Sequence, residues 1–183
     1  GRDVQFALSG TTGRSVLNIK TRSRSFGTTV DGITGNGSLG TLSGRRVDLN
    51  GGLTVSGGLS RLTLDDVSGQ SSIQIGSSVN PRGSTLRMDQ VADTTITSGG
   101  AIRLLSITEW LDDDRTTDAL SAPSIGALIS HGDFGADVNL SDLLASGFLI
   151  AFLVARISSR DGTLPRTAFV VTGFFLLFAA VYL

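Results

Sequence analysis

Cysteine is absent from this 183-residue chain, and histidine, tryptophan, tyrosine and methionine each occur once. Without cysteine there is no disulfide staple, no thiolate ligand for zinc and no thiol nucleophile. A single histidine, His131, cannot build a multi-histidine metal site. Lys20 is the sole lysine among 15 basic residues, which face 16 acidic ones for a net charge of −1. No bulk field therefore draws nucleic acid, and none is expected as a partner. There is no P-loop and no H-E-x-x-H. The chain opens at Gly1 without a Met, a basic n-region or an apolar h-region, which reads as a fragment boundary or a processed end.

What is present is a repeat. Leu42-x-Gly44-x-x-Val47, Leu62-x-Leu64-x-x-Val67, Leu86-x-Met88-x-x-Val91 and Leu105-x-Ile107-x-x-Trp110 share one pattern, with first positions 20, 24 and 19 residues apart. A period of this size marks a stack of small units. Residues 1–142 hold all but three of the 24 glycines. Runs such as Leu53-Thr54-Val55, Ile73-Gln74-Ile75 and Thr95-Ile96-Thr97 alternate with period two, or are β-branched, between glycine-rich turns. The fold class predicted is all-β, a right-handed parallel β-helix with coils of about 20 residues.

The motif has a geometric reading. Leu62 and Leu64 point to one face of a strand, whereas Val67 stands at odd spacing and needs a bend at Asp65-Asp66 to turn inward. The equivalent bends are Arg45-Arg46, Asp89-Gln90 and Thr108-Glu109, all polar as exposed corners require. Three internal ladders follow. They are Leu42/Leu62/Leu86/Leu105, Gly44/Leu64/Met88/Ile107 and Val47/Val67/Val91/Trp110, with the large Trp110 expected to close the last as a cap. At the corners, Arg45-Arg46 would attract Asp65-Asp66 from one coil away, and Asp89 would repel them. Solvent, the arginines or a bound cation could relieve that repulsion.

Beyond residue 110 the pattern loosens. Residues 111–118 read as a polar loop, 122–129 as a strand, and 132–140 as a partial coil. Ile107-Thr108-Glu109-Trp110-Leu111-Asp112-Asp113-Asp114, then Ala122-Pro123-Ser124-Ile125-Gly126, then Gly132-Asp133-Phe134 with Asp137-Val138-Asn139-Leu140, resembles the repeats of large secreted bacterial β-strand-repeat proteins. These are similar in style to adhesin and autotransporter-passenger β-helices. The resemblance covers about residues 38–142. It implies a secreted or cell-surface array that meets an extracellular surface or glycan, and it supplies no catalytic residues.

Residues 143–183 form a hydrophobic tail, expected to be helical. It contains six of the nine phenylalanines and two uncharged runs, 143–155 and 167–183. The second run has 17 residues, at the lower limit for a membrane span. A membrane hairpin, a single anchor over 167–183, a removable lipid-anchor signal and a non-native end are the competing readings.

Candidate chemistry is sparse. Asp112, Asp114 and Asp118 are the calcium candidates, because hard oxygen ligands suit that ion. The loop lacks the glycine and glutamate of an EF-hand, and a solvated acidic loop is the alternative. Ser130, His131 and Asp133 adjoin in sequence, but alternation along a strand separates their side chains and makes a turn histidine the simpler reading. Two alternatives to a non-catalytic scaffold remain. One is a polysaccharide-cleaving enzyme using Asp65, Asp66 and Asp89 with Arg45, Arg46 and Arg87, for which Trp110 is the sole candidate sugar platform. The other is a β-helix polymer that self-associates end to end.

Overall fold

The computed structural model describes residues 4–22, 27–77, 82–112 and 116–141, and the backbone of 151–154. In chain order the strands are β1 (Gln5–Thr11), β2 (Val16–Asn18), β3 (Thr28–Gly37), β4 (Leu39–Ser43), β5 (Val47–Val55), β6 (Leu59–Thr63), β7 (Ser71–Ile75) and β8 (Ser84–Arg87). They continue as β9 (Gln90–Ala92), β10 (Thr94–Ser98), β11 (Ile102–Ile107), β12 (Glu109–Leu111), β13 (Ala119–Ala122), β14 (Ala127–Ser130), β15 (Asp137–Leu140) and β16 (Ala151–Val154). Two seven-stranded sheets run β1-β3-β5-β7-β10-β13-β15 and β2-β4-β6-β8-β11-β14-β16, and β9 pairs with β12 on a third side. The pairings are parallel, and each strand lies on its counterpart from the next coil. The protein is a three-sided β-solenoid.

Register shows why this sequence coils. In the first sheet, Phe6, Ile33, Leu53, Ile73, Ile96, Leu120 and Val138 stack as successive partners. In the second sheet, Leu17, Leu42, Leu62, Leu86, Leu105 and Leu128 do the same. The third side carries Leu49, Val67, Val91, Trp110 and Phe134 through single parallel bridges and the β9–β12 pair. From Leu42 to Leu105, and from Ile33 to Leu120, these ladder residues are fully shielded from solvent. Each such aliphatic side chain contributes about 1.5–3 kcal/mol, and stacking rungs lets the sum offset the ordering entropy of the chain. Among the described residues no buried side-chain nitrogen or oxygen lacks a hydrogen-bond partner.

The coils approach closely where they bend, and glycine is required there. A Cβ on Gly51 would stand 1.9 Å from the Asp31 carbonyl oxygen, and one on Gly76 would stand 2.0 Å from that of Ser56. Backbone of the preceding coil occupies the space a side chain would need.

Several expectations change. Val47 does not join Val67; Leu49 does. A tight turn closes at 44–47, where the Val47 N–H donates to the Gly44 carbonyl at 2.9 Å. The Val47 side chain then sits where a Gly44 side chain would project, with its Cγ2 only 2.6 Å from that position. Val47 thus fills the space left empty by Gly44, and the ladder resumes two residues later. Nor does Trp110 cap its ladder, because Phe134 stacks beyond it with ring centroids 5.5 Å apart at 70°. The expected strand over 122–129 is broken at 123–126, between β13 and β14, where Pro123 has no N–H to give a ladder.

In the tail, β16 pairs in parallel with β14 over residues 151–154. The remainder of the tail, including the expected membrane span at 167–183, lies outside the described residues. Among the described residues no helix is long and apolar enough to cross a membrane.

Candidate functional site

Among the described residues one group of acidic side chains is close enough to share a ligand, at the corner between the second and third sides. Leu64, Met88 and Ile107 are buried just before it, and Val67, Val91 and Trp110 just after it. Two anchored flanks leave the residues between them to form the bend. The bends stack through their backbones. Asp65 N–H donates to the Val47 carbonyl at 3.0 Å, Asp89 N–H to Asp65 at 2.8 Å and Thr108 N–H to Asp89 at 2.8 Å. This stacking brings carboxylate oxygens of Asp65, Asp66 and Asp89 within 4.8 Å of one another.

Asp66 Oδ1 accepts the Gln90 N–H at 3.1 Å. Asp89 Oδ1 accepts the Thr108 hydroxyl, and Gln90 Nε2 donates to Glu109 Oε1. Asp65 has no such donor in its environment of like charges. Partial burial, then Asp66, Asp48 and Asp89, push its pKa above the ordinary carboxylate value, against a lowering influence from Arg46. The expected attraction from the coil below is thus outweighed. The tight turn at 44–47 brings Asp48 into that coil's contribution beside Arg46, and the aspartate is the stronger of the two.

Three carboxylates at this spacing are hard oxygen donors of the kind calcium takes, although that ion fills six to eight ligand positions. For a glycosidase pair, Trp110 is the sugar platform expected from the sequence. Trp110 is wholly buried and packed on Phe134, so it presents no face to a saccharide.

Of the other calcium candidates, the described Asp112 and Asp118 belong to no group of three possible metal ligands among the described residues. Asp112 is exposed just after β12. Asp114 lies outside the described residues. Asp118 is buried, and its Oδ2 accepts the Trp110 indole N–H at 2.7 Å. Burial raises the Asp118 pKa most, with smaller contributions from Asp112 and Asp93, while hydrogen bonds from Trp110 and the backbone of Thr94 pull it down. Its carboxylate serves the core. Sequence reading missed this pair, and the signal for it was modest: a large indole in a valine position needs a buried acceptor for its N–H.

His131 is exposed at a turn, where its backbone N–H donates to the Thr108 carbonyl at 3.1 Å. Ser130 is buried, and its hydroxyl is committed to the carbonyls of Gly132 and Asp133 at 3.2 and 3.3 Å. Ser130, His131 and Asp133 form no relay.

Fold and corner together define the class as a β-solenoid repeat protein with an aliphatic interior and polar corners. Comparison with protein-family models, with curated proteins and with solved structures returned no match.

Proposed function

We propose that this chain is a non-catalytic structural scaffold of a secreted or cell-surface repeat protein of the adhesin or autotransporter-passenger type, coiled with a right hand. It displays corner loops on a rigid stack to an extracellular surface or glycan. The observation that supports this reading is the interior itself. Ladders of Leu, Ile and Val fill it, so polar groups are offered outward, from corners and sheet faces. The resemblance of residues 38–142 to secreted strand-repeat proteins supports the same location.

The discriminating experiment incubates the purified chain with acidic and neutral polysaccharides and measures both retention and new chain ends. Retention without cleavage is expected. Cleavage that disappears in an Asp65→Asn/Asp89→Asn variant would replace the scaffold with an enzyme. Surface biotinylation of intact cells tests the location, and a protein labelled only after lysis would remove the cell-surface reading.

End-to-end assembly is a second reading, favoured by the parallel backbone pairing that joins successive coils and that a second copy could continue. A terminal strand presents one row of backbone groups for pairing. Sedimentation over a range of concentrations decides it, since a constant monomer mass would exclude assembly.

A further inference from the structure

The net charge of −1 conceals a sorting of charge by side. The strands of the second sheet contain no Asp or Glu, and their charged residues are Arg61, Arg87 and Arg103. All three are exposed. They come from β6, β8 and β11, which are consecutive neighbours in that sheet. Arg61 pairs in register with Thr85, and Arg87 stands two residues further along the same strand as Thr85. Arg103 is the extra residue of a bulge between Ile102 and Leu104, and its guanidinium donates to the Thr85 hydroxyl at 2.8 Å. The three arginines therefore surround one point on the sheet. Arg61 and Arg103 are separated by two rungs, about 10 Å, and Arg87 lies about 7 Å along the strand from Thr85. Among the described residues Arg61 and Arg87 have no carboxylate partner, so their charge is turned to solvent.

We infer that the outer face of the second sheet binds an acidic polysaccharide through Arg61, Arg87 and Arg103. A guanidinium matches a carboxylate or sulfate with paired donors. Thr63 and Ser106, the register partners of Arg87 on either side, place hydroxyls beside it for the hydroxyls of a sugar. The surrounding features select against other polyanions. The strands of this sheet that carry the cluster hold no aromatic residue on which a nucleic-acid base could stack. The acidic corner of Asp65, Asp66 and Asp89 follows directly after these strands, so a wide duplex laid on the arginines would meet repulsion there. A single glycan chain is narrow enough to avoid it. This site uses a side of the solenoid and not its corner loops, so it stands even if the corners bind nothing.

The test uses the full chain with polygalacturonate and heparin as probes, dextran as neutral control, and duplex DNA and phosphatidylserine vesicles as competitors. Both acidic glycans should bind at low salt, be released as salt rises, and leave dextran unbound. The Arg61→Gln/Arg87→Gln/Arg103→Gln variant should bind about tenfold more weakly or worse, as three exposed charge contacts imply, with an unchanged far-UV circular dichroism spectrum. A Thr54→Ala control, exposed on the first sheet and away from the corners, should stay within about twofold of the parent. If removing Arg103 disturbs the fold, the Arg61→Gln/Arg87→Gln variant decides, because those side chains support nothing else. Unchanged binding in a folded variant overturns the inference, as does failure of the parent to hold either acidic glycan. Binding to DNA or vesicles in preference to both glycans overturns the glycan assignment.

Discussion

Removing the hydrogen bond between Trp110 and Asp118 should cost this solenoid more than its position near a polar loop suggests. Trp110 is 0% exposed and Asp118 3%, with the indole nitrogen 2.7 Å from the carboxylate. A hydrogen bond to a charged group contributes about 1.5–3 kcal/mol net, and a buried partner left alone adds a desolvation penalty. Trp110→Phe should therefore cost about 2–4 kcal/mol, from the lost bond and the volume of the missing ring. Asp118→Ala should cost a similar amount, because it strands the indole N–H and takes an acceptor from Thr94. The double variant should cost less than the sum, with a coupling of about 1.5–3 kcal/mol. Urea unfolding of the full chain followed by far-UV circular dichroism measures all four corners of this cycle without depending on the sole tryptophan. In Trp110→Phe, the Asp118 pKa should rise further, since the indole bond is one of the two influences that lower it. A coupling within about 0.3 kcal/mol of zero would show that the two side chains act independently, and the reasoning would fail.

Other perturbations separate ladder, corner and turn. Leu62→Ala, in the middle of the second-sheet ladder, should cost about 2–5 kcal/mol in urea unfolding, and Leu17→Ala, half-buried in that ladder, clearly less. Gly76→Ala places a Cβ against the Ser56 carbonyl and should cost at least about 1–3 kcal/mol; an unchanged midpoint would mean that the coils are further apart than described. Asp65 and Asp118 both have raised pKa values in the fold. Between the unfolded value of about 3.9 and the folded value, the native state holds the extra proton, so stability falls as pH rises through that window and levels off above it. Asp65→Asn should flatten part of that fall and add roughly 0–1 kcal/mol at neutral pH, read from urea midpoints across the pH range; a steeper fall would contradict the assigned cause.

The coiled architecture was legible because its signal is local and repeated. Leu62, Leu86 and Leu105 declare themselves by spacing, and the bend at Asp65-Asp66 follows from the need to bury Val67. Register at the first corner was not legible. Gly44 leaves a hole that Val47 can fill, and only the three-dimensional path shows that Leu49 then inherits the ladder position. The same shift carried Asp48 to the acidic corner, where its repulsion of Asp65 outweighs the attraction from Arg46. The cluster of Asp65, Asp66 and Asp89 was visible as stacked bends. The bond between Asp118 and Trp110 was not legible, because an aspartate near an acidic run looks solvated unless its partner is known. The arginines of the second sheet could have been found by alternation alone: Arg61 precedes the ladder residue Leu62, and Arg87 follows Leu86, so both face outward.

The ladders also say how such a chain can change length. Each strand pairs only with its counterparts one coil before and after it, so a coil meets the rest of the protein through two nearly identical surfaces. A duplicated segment of DNA encoding one coil would insert a rung whose leucines find matching leucines above and below. The interval between Leu62 and Leu86 is longer than its neighbours, yet the two leucines still pair in register. The constraint that selection must preserve is therefore narrow: an aliphatic residue at each ladder position and room at the close bends. Between those points the outward positions are free to diversify from rung to rung, and a surface pattern such as the arginine cluster can arise by point mutation without renegotiating the core.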